Sequence, residues 1–223
     1  MQTQINKKIY IYIILFIFLG TFNNKNFAKL SLPKISEINI SGLNSENNLK
    51  LIESLNFLKL KNLLILNDNE IKRIIETNNF VEKYFVFKKY PSSLEIKIIE
   101  TKILAKVKIN DKLLFLGSNG KLIKNKTNIN KIPFIFGNFS NKEFFEFKSI
   151  IDKSDFNFKN IKNLFFFKSG RWDIETNSDV LIRLPKESLS ESVDLFTKIL
   201  KDDQFKDKKL IDLRQNNQLI VNE

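Results

Sequence analysis

The 223-residue chain contains no cysteine and no histidine. Without cysteine there is no disulfide, no thiolate nucleophile and no cysteine metal site, and without histidine the side chain that most often moves protons near neutral pH is gone. A phosphate-cradling glycine loop is missing too, because Gly117-Ser118-Asn119-Gly120 lacks the following Lys-Ser/Thr and sits inside a hairpin pattern. Carboxylate pairs such as Asp152 with Asp155, or Glu191 with Asp194, have helical spacing but lie among lysines with no convergent partners. These absences exclude most catalysis. The expectation is a protein that is not an enzyme, with no catalytic residue, no cofactor and no metal.

What is present is enough apolar content to build packed cores, 43% of the residues, and a formal charge of +12. A basic balance raises nucleic acid as a partner. Here lysine recurs with asparagine, isoleucine and phenylalanine, all with A/T-rich codons, and the basic residues are interleaved with acids. The reading is a solvated basic surface, with no nucleic acid bound. Phe144, Phe145 and Phe147, and the run Phe165 to Phe167, have the spacing of core residues and not of a base-stacking platform.

Lys7 and Lys8 precede a run without charge from Ile9 to Phe22. Positive charge ahead of an apolar stretch holds the N-terminus in the cytoplasm and sends the rest across. The run spans about 21 Å as a helix, short of the ~30 Å hydrocarbon core. It fits a membrane anchor, and it also fits a signal-peptide core with Asn26-Phe27-Ala28 as a poor cleavage site. Both put residues 29–223 outside the cytoplasm.

Past a polar stretch and Pro33, Ile35 to Ile40 alternates as a half-buried strand and Gly42 ends it. Leu49, Ile52 and Leu55 fall on one face of a helix that Ser45 would cap, and Ile71, Ile74 and Ile75 on one face of a second helix starting near Asp68. Strands follow at Val81 to Lys89 and around Leu94, Ile96 and Ile98, with the turn Tyr90-Pro91-Ser92-Ser93 between them. From about Lys102 the pattern is mainly hairpins: Lys112–Leu116 with Lys121–Ile123, Trp172–Glu175 with Val180–Leu184, and Leu210–Arg214 with Gln218–Val221. Two helices interrupt them, one starting at Ser140 with Glu143 placed for a capping box, the other spanning about Glu187 to Asp202 with Leu189, Val193, Phe196 and Ile199 on one face. The class is α+β with a mainly antiparallel sheet in the second half.

Several words of the sequence resemble the FtsQ/DivIB family of cell-division proteins. Ile38-Asn39-Ile40-Ser41-Gly42 resembles its "I-x-V-x-G", and Phe80-Val81-Glu82-Lys83 its "W-V-x-x-A". Lys88 to Glu100 follows "R-x-W-P-x-x-L-x-V-x-V-x-E", with Tyr90 in place of the tryptophan. Gly170-Arg171-Trp172-Asp173-Ile174 with Val180 to Pro185 resembles the "R-W-D-L … V-x-L-P" hairpin, and Ile211-Asp212-Leu213-Arg214 the "V-D-L-R" near the end. The proline usual after Glu100 is missing, and Lys106 and Val107 depart from the usual context.

The resemblance implies a cytoplasmic tail at 1–8, a transmembrane anchor at 9–22, a linker at 23–33, a POTRA domain at 34–101 and a β domain at 102–223. It also implies an inner-membrane protein with its C-terminal part in the periplasm, working at the division septum. There it would be a scaffold that binds FtsB and FtsL, with other division proteins met through the POTRA domain. The final strand Gln218 to Val221 carries no charge or proline to guard it, so it is the candidate edge for strand addition. Asp212, Leu213, Arg214, Gln215, Leu219, Ile220 and Val221 form the expected binding surface, with Arg171 and Arg183 supplying charge around it. A POTRA-bearing transport or assembly component is the alternative, but it would carry repeated POTRA units or a long barrel, for which 223 residues leave no room.

Overall fold

The computed structural model describes residues 7–22, 32–124, 131–215 and 218–222. Helix α1 spans Lys7–Phe22, and from Ile9 to Leu19 its large apolar side chains are 47–79% exposed. Its 16 residues make about 24 Å. No helix among the described residues is long and apolar enough to cross a membrane.

A first sheet follows, built from β1 (Glu37–Ser41), β2 (Val81–Lys89) and β3 (Ser93–Glu100), with helices α2 (Ser45–Leu55) and α3 (Asp68–Thr77) between β1 and β2. The strand order is β1-β3-β2, with β3 parallel to β1 and antiparallel to β2. Alternation puts Leu94, Ile96 and Ile98 of β3 under the helices, where Leu55, Ile71 and Ile75 are fully buried. Two details of the helix differ from the sequence expectation. The cap of α2 is Asn44, whose side chain accepts from the Asn47 amide, not Ser45. The buried stripe is Leu51 and Leu55, one turn apart, and Leu49, nearly opposite, is 61% exposed. Both a 49/52/55 and a 51/55 stripe satisfy helical periodicity, and the sheet selects the second. Asn67 caps α3 in the same way through the Asn69 amide.

The second sheet has nine strands in the order β12-β11-β10-β9-β8-β7-β4-β5-β6. Its strands are β4 (Ile103–Ile109), β5 (Lys112–Gly117), β6 (Leu122–Ile123), β7 (Phe134–Phe136), β8 (Ile161–Phe166), β9 (Trp172–Thr176), β10 (Leu181–Arg183), β11 (Leu210–Asp212) and β12 (Ile220–Asn222). The three expected hairpins form, and so do two more: β8–β9, and β4–β5, turned by Asn110 and Asp111 at φ 48° and 61°. The pairings β4–β7, β7–β8 and β10–β11 are parallel. Helices α4 (Asn141–Lys153) and α5 (Leu189–Ile199) supply the crossovers for the last two, since parallel neighbours need a long connection. The Ser140–Glu143 capping box starts α4. Phe144 and Phe147 of α4 are buried against Trp172 of β9, with the Phe147 and Trp172 rings stacked at 4.9 Å. Phe167 ends 38% exposed, outside the core that the aromatic spacing predicts for it.

A polar joint ties the two sheets. The Asn119 side-chain amide, in the β5–β6 turn, donates to the backbone carbonyls of Asn79 and Val81 at 2.9 Å each, and Asn79 donates back to the Leu122 carbonyl. Ser118 and Thr101 both donate to Glu82, and Lys121 reaches the carbonyls of Glu76 and Asn78 at the end of α3. Asn119→Ala removes both Asn119 donors. It is expected to cost about 1 kcal/mol per carbonyl left unpaired, read as a lower thermal midpoint and faster amide exchange near Asn79.

Candidate partner-binding edge

Strand β12 closes the sheet on one side, paired among the described residues only with β11. It runs from Ile220 to Asn222, two residues later than the sequence alternation suggests at its start and one later at its end. In an antiparallel strand the N–H and C=O of one residue point the same way and alternate along the chain. The Asn222 carbonyl accepts from Lys209 N at 3.0 Å, so Asn222 and Ile220 face β11. Val221 and Leu219 therefore present their backbone groups to the open edge.

Side chains at this edge divide by face. Val221 is registered against the buried Ile211 and packs on the core, whereas Ile220 shares the other face with Asp212 and is 46% exposed. On the helix side, a groove of about 570 Å³ runs beside the edge, lined by Pro185, Ser188, Leu195, Leu213, Gln215 and Leu219. Leu195 on α5 is 46% exposed there. It escaped the sequence reading because it lies off the Leu189–Val193–Phe196 stripe. A leucine out of phase on an amphipathic helix was the available signal.

On the opposite face, strand alternation gathers charge. Asp173 of β9, Arg183 of β10 and Asp212 of β11 are neighbours in register, with Arg171 and Arg214 at the strand ends. Arg214 holds Asp212 through paired contacts of 2.6–3.0 Å, Arg183 lies 3.5 Å from it, and Arg171 Nε donates to Asp173 at 3.3 Å. Arg171 also covers the Phe167 ring at 4.1 Å. The hydrogen bonds from Arg214 hold the Asp212 carboxyl below the usual carboxylate range and push the guanidinium up in turn. For Asp173, burial prevails over the pull of Arg171, and its carboxyl is raised. Three guanidinium groups thus face two carboxylates around a groove of about 350 Å³.

The nine residues expected to bind divide accordingly. Leu219, Ile220, Gln215, Arg171, Arg183 and Arg214 reach the surface, and Val221 reaches it through its backbone. Asp212 and Leu213, at 6% and 5% exposure, are largely buried: Asp212 holds two arginines, and Leu213 packs on the core while lining the groove. Asp173 was not among the expected residues, although it stands inside the Arg-Trp-Asp word.

Because Asp173 has a raised carboxyl, the folded state binds its proton more tightly than the unfolded chain does. Its stabilising contribution is complete below the unfolded value of about 3.8 and is lost as pH rises through the folded value. Asp173→Asn is therefore expected to gain on the wild type between pH 4 and pH 7, measured as the difference in thermal midpoints. Asp212 has the opposite sign: its stabilisation is present above the unfolded value and is lost as pH falls through the lowered one.

Two helices on a three-stranded sheet, followed by a large mixed sheet, define a two-part α+β protein. A family model for the POTRA domain of FtsQ type matches residues 34–101, and one for the C-terminal part of cell division protein FtsQ/DivIB matches residues 105–214. Cell division protein FtsQ of Rickettsia bellii (strain RML369-C) is 22% identical over 193 residues, covering 84% of this chain and 72% of that protein. Cell division protein DivIB of Staphylococcus aureus (strain NCTC 8325 / PS 47) is 31% identical over 114 residues, covering 50% of this chain and 26% of that protein. The solved extracytoplasmic domain of DivIB from Geobacillus stearothermophilus aligns with a TM-score of 0.35 at 15% identity, over 45% of this chain and 92% of that one. The chain belongs to the FtsQ/DivIB family of cell-division proteins.

Proposed function

We propose that the protein is a non-enzymatic scaffold of the division machinery that captures FtsB- and FtsL-type partners by strand addition at β12. The observation that carries this reading is the edge strand β12, whose Leu219 and Val221 backbone groups have no pairing strand among the described residues. A segment laid antiparallel or parallel along it would hydrogen-bond those groups and drop apolar side chains into the groove by Leu195 and Leu213. Its other side chains would meet Arg171, Arg183 and Arg214, so the partner segment is acidic on that face.

In this reading α1 is the single membrane anchor, residues 34–101 form the membrane-proximal domain that meets other division proteins, and residues 102–223 form the binding domain in the periplasm. The apolar surface of α1, exposed on all sides, supports burial in lipid. A fluorescent fusion to the full chain is expected to give a midcell band in dividing cells. A uniform envelope signal throughout the cycle would count against the scaffold role and favour a POTRA-bearing transport component.

A further inference from the structure

Between α2 and α3 the chain alternates buried and exposed apolar side chains in an unusual way. Leu58, Leu63 and Leu66 seal the first core at 0–5% exposure, while Phe57, Leu60, Leu64 and Ile65 point outward at 43%, 74%, 61% and 71%. Four large apolar side chains within nine residues, none needed by the core, mark a surface that something covers.

Three observations say what covers it. The loop lies against the chain just after the anchor: Lys34 bridges Asn62, and Ile35 N donates to the Lys61 carbonyl at 2.8 Å. Nine residues separate Phe22 from Leu32, so Leu32 lies within about 35 Å of the end of α1 at the chain's full extension. Second, the loop and the second sheet sit at opposite ends of α3. The Asn67 cap and Leu66 adjoin the loop, whereas the carbonyls of Glu76 and Asn78 at the far end receive Lys121. Strand β2 repeats this polarity, with Lys88 donating to the Leu66 carbonyl and Val81 accepting from Asn119. Third, Lys34 pairs with the loop at Asn62 and Lys59 lies within it, both exposed and without a salt bridge among the described residues. Apolar side chains beside free lysines match the interface of a bilayer with anionic headgroups.

We infer that the loop of residues 57–65 inserts its four apolar side chains into the anionic membrane surface. It would be a second attachment that stands α3 and β2 away from the membrane and projects β12 toward the partner. The inference rests on the proposed anchoring by α1, and the test separates the two.

Because the chain has no cysteine, single nitroxide-labelled cysteines at Leu64, Ile14 and Lys142 are specific. The full chain is reconstituted in vesicles of phosphatidylcholine with one part in about four of phosphatidylglycerol, a leaflet charged enough to attract lysines. Collision with oxygen marks lipid, and collision with a water-soluble nickel chelate marks solvent. The label at Ile14 and the label at Leu64 are expected to favour oxygen several-fold, and that at Lys142 the nickel chelate. In a background carrying F57S, L60S and I65S, the label at Leu64 should return to nickel access. Nickel access at Leu64 with oxygen access at Ile14 overturns the inference and leaves the anchor standing. Nickel access at both overturns the anchor and the inference together, and shielding of Leu64 from both reagents overturns it in favour of a protein cover.

Discussion

Leu219→Pro is expected to weaken capture of an FtsB-type partner by roughly a hundredfold while leaving the β domain folded. The Leu219 N–H donates to no described residue, so a proline there removes no backbone hydrogen bond among them. In a strand-added complex it deletes one bond and leaves a partner carbonyl buried without a donor. Together these cost about 2–4 kcal/mol, and each 1.4 kcal/mol is tenfold in affinity. The measurement is a binding titration with the partner's periplasmic segment, run beside a thermal melt followed by Trp172. Leu219→Ile keeps the backbone donor and much of the groove contact, and should bind within a few-fold of wild type. Equal binding by the proline variant would remove strand addition at β12 as the mode of capture.

The division of labour at this edge was partly legible in the sequence. Alternation in Leu210–Arg214 and the turn before Leu219 gave the hairpin, and the lack of charge or proline in Gln218–Val221 suggested a pairing edge. The faces were not legible, because a shift of one residue in register exchanges them. The hydrogen bond from Lys209 to Asn222 fixes that phase, and in it Asp212 and Leu213 are buried. The parallel pairings were hidden for a different reason. A short strand such as Phe134–Phe136 has too few residues to show a period, and its neighbours in the sheet lie tens of residues away in sequence. The loop of residues 57–65 was equally hidden, since Leu58 and Leu60 look alike until the core selects one of them.

The two sheets handle charge and apolar surface differently, and this bears on how the protein works. Around β12 the exposed apolar groups are few and are rimmed by arginines that Asp173 and Asp212 hold in place, which suits a partner chosen for its sequence and charge. Around residues 57–65 they are many, with the exposed Lys34 and Lys59 beside them, which suits an anionic lipid surface. The polar joint at Asn119 and Glu82 links the two sheets.

Gly42→Ala is expected to be the most damaging single change in the first sheet. Gly42 follows β1 with φ at +108°, and an added Cβ would sit 1.8 Å from the Ile98 carbonyl oxygen. That oxygen belongs to the central strand β3, whose register with β2 pairs Ile98 with Tyr84, so it cannot retreat without opening the sheet. Backbone strain and overlap together come to about 3–5 kcal/mol, a large share of a small domain's stability. The only tryptophan, Trp172, is in the second sheet, so the effect can be localised. Amides of β1 and β3 should exchange orders of magnitude faster, while the Trp172 melting midpoint moves by only the few degrees that loss of the Asn119 joint allows. Capture of an FtsB-type partner by β12 should persist in this variant and placement at midcell should fail. A Trp172 midpoint falling as far as the β1–β3 amides would show that the two sheets melt as one unit.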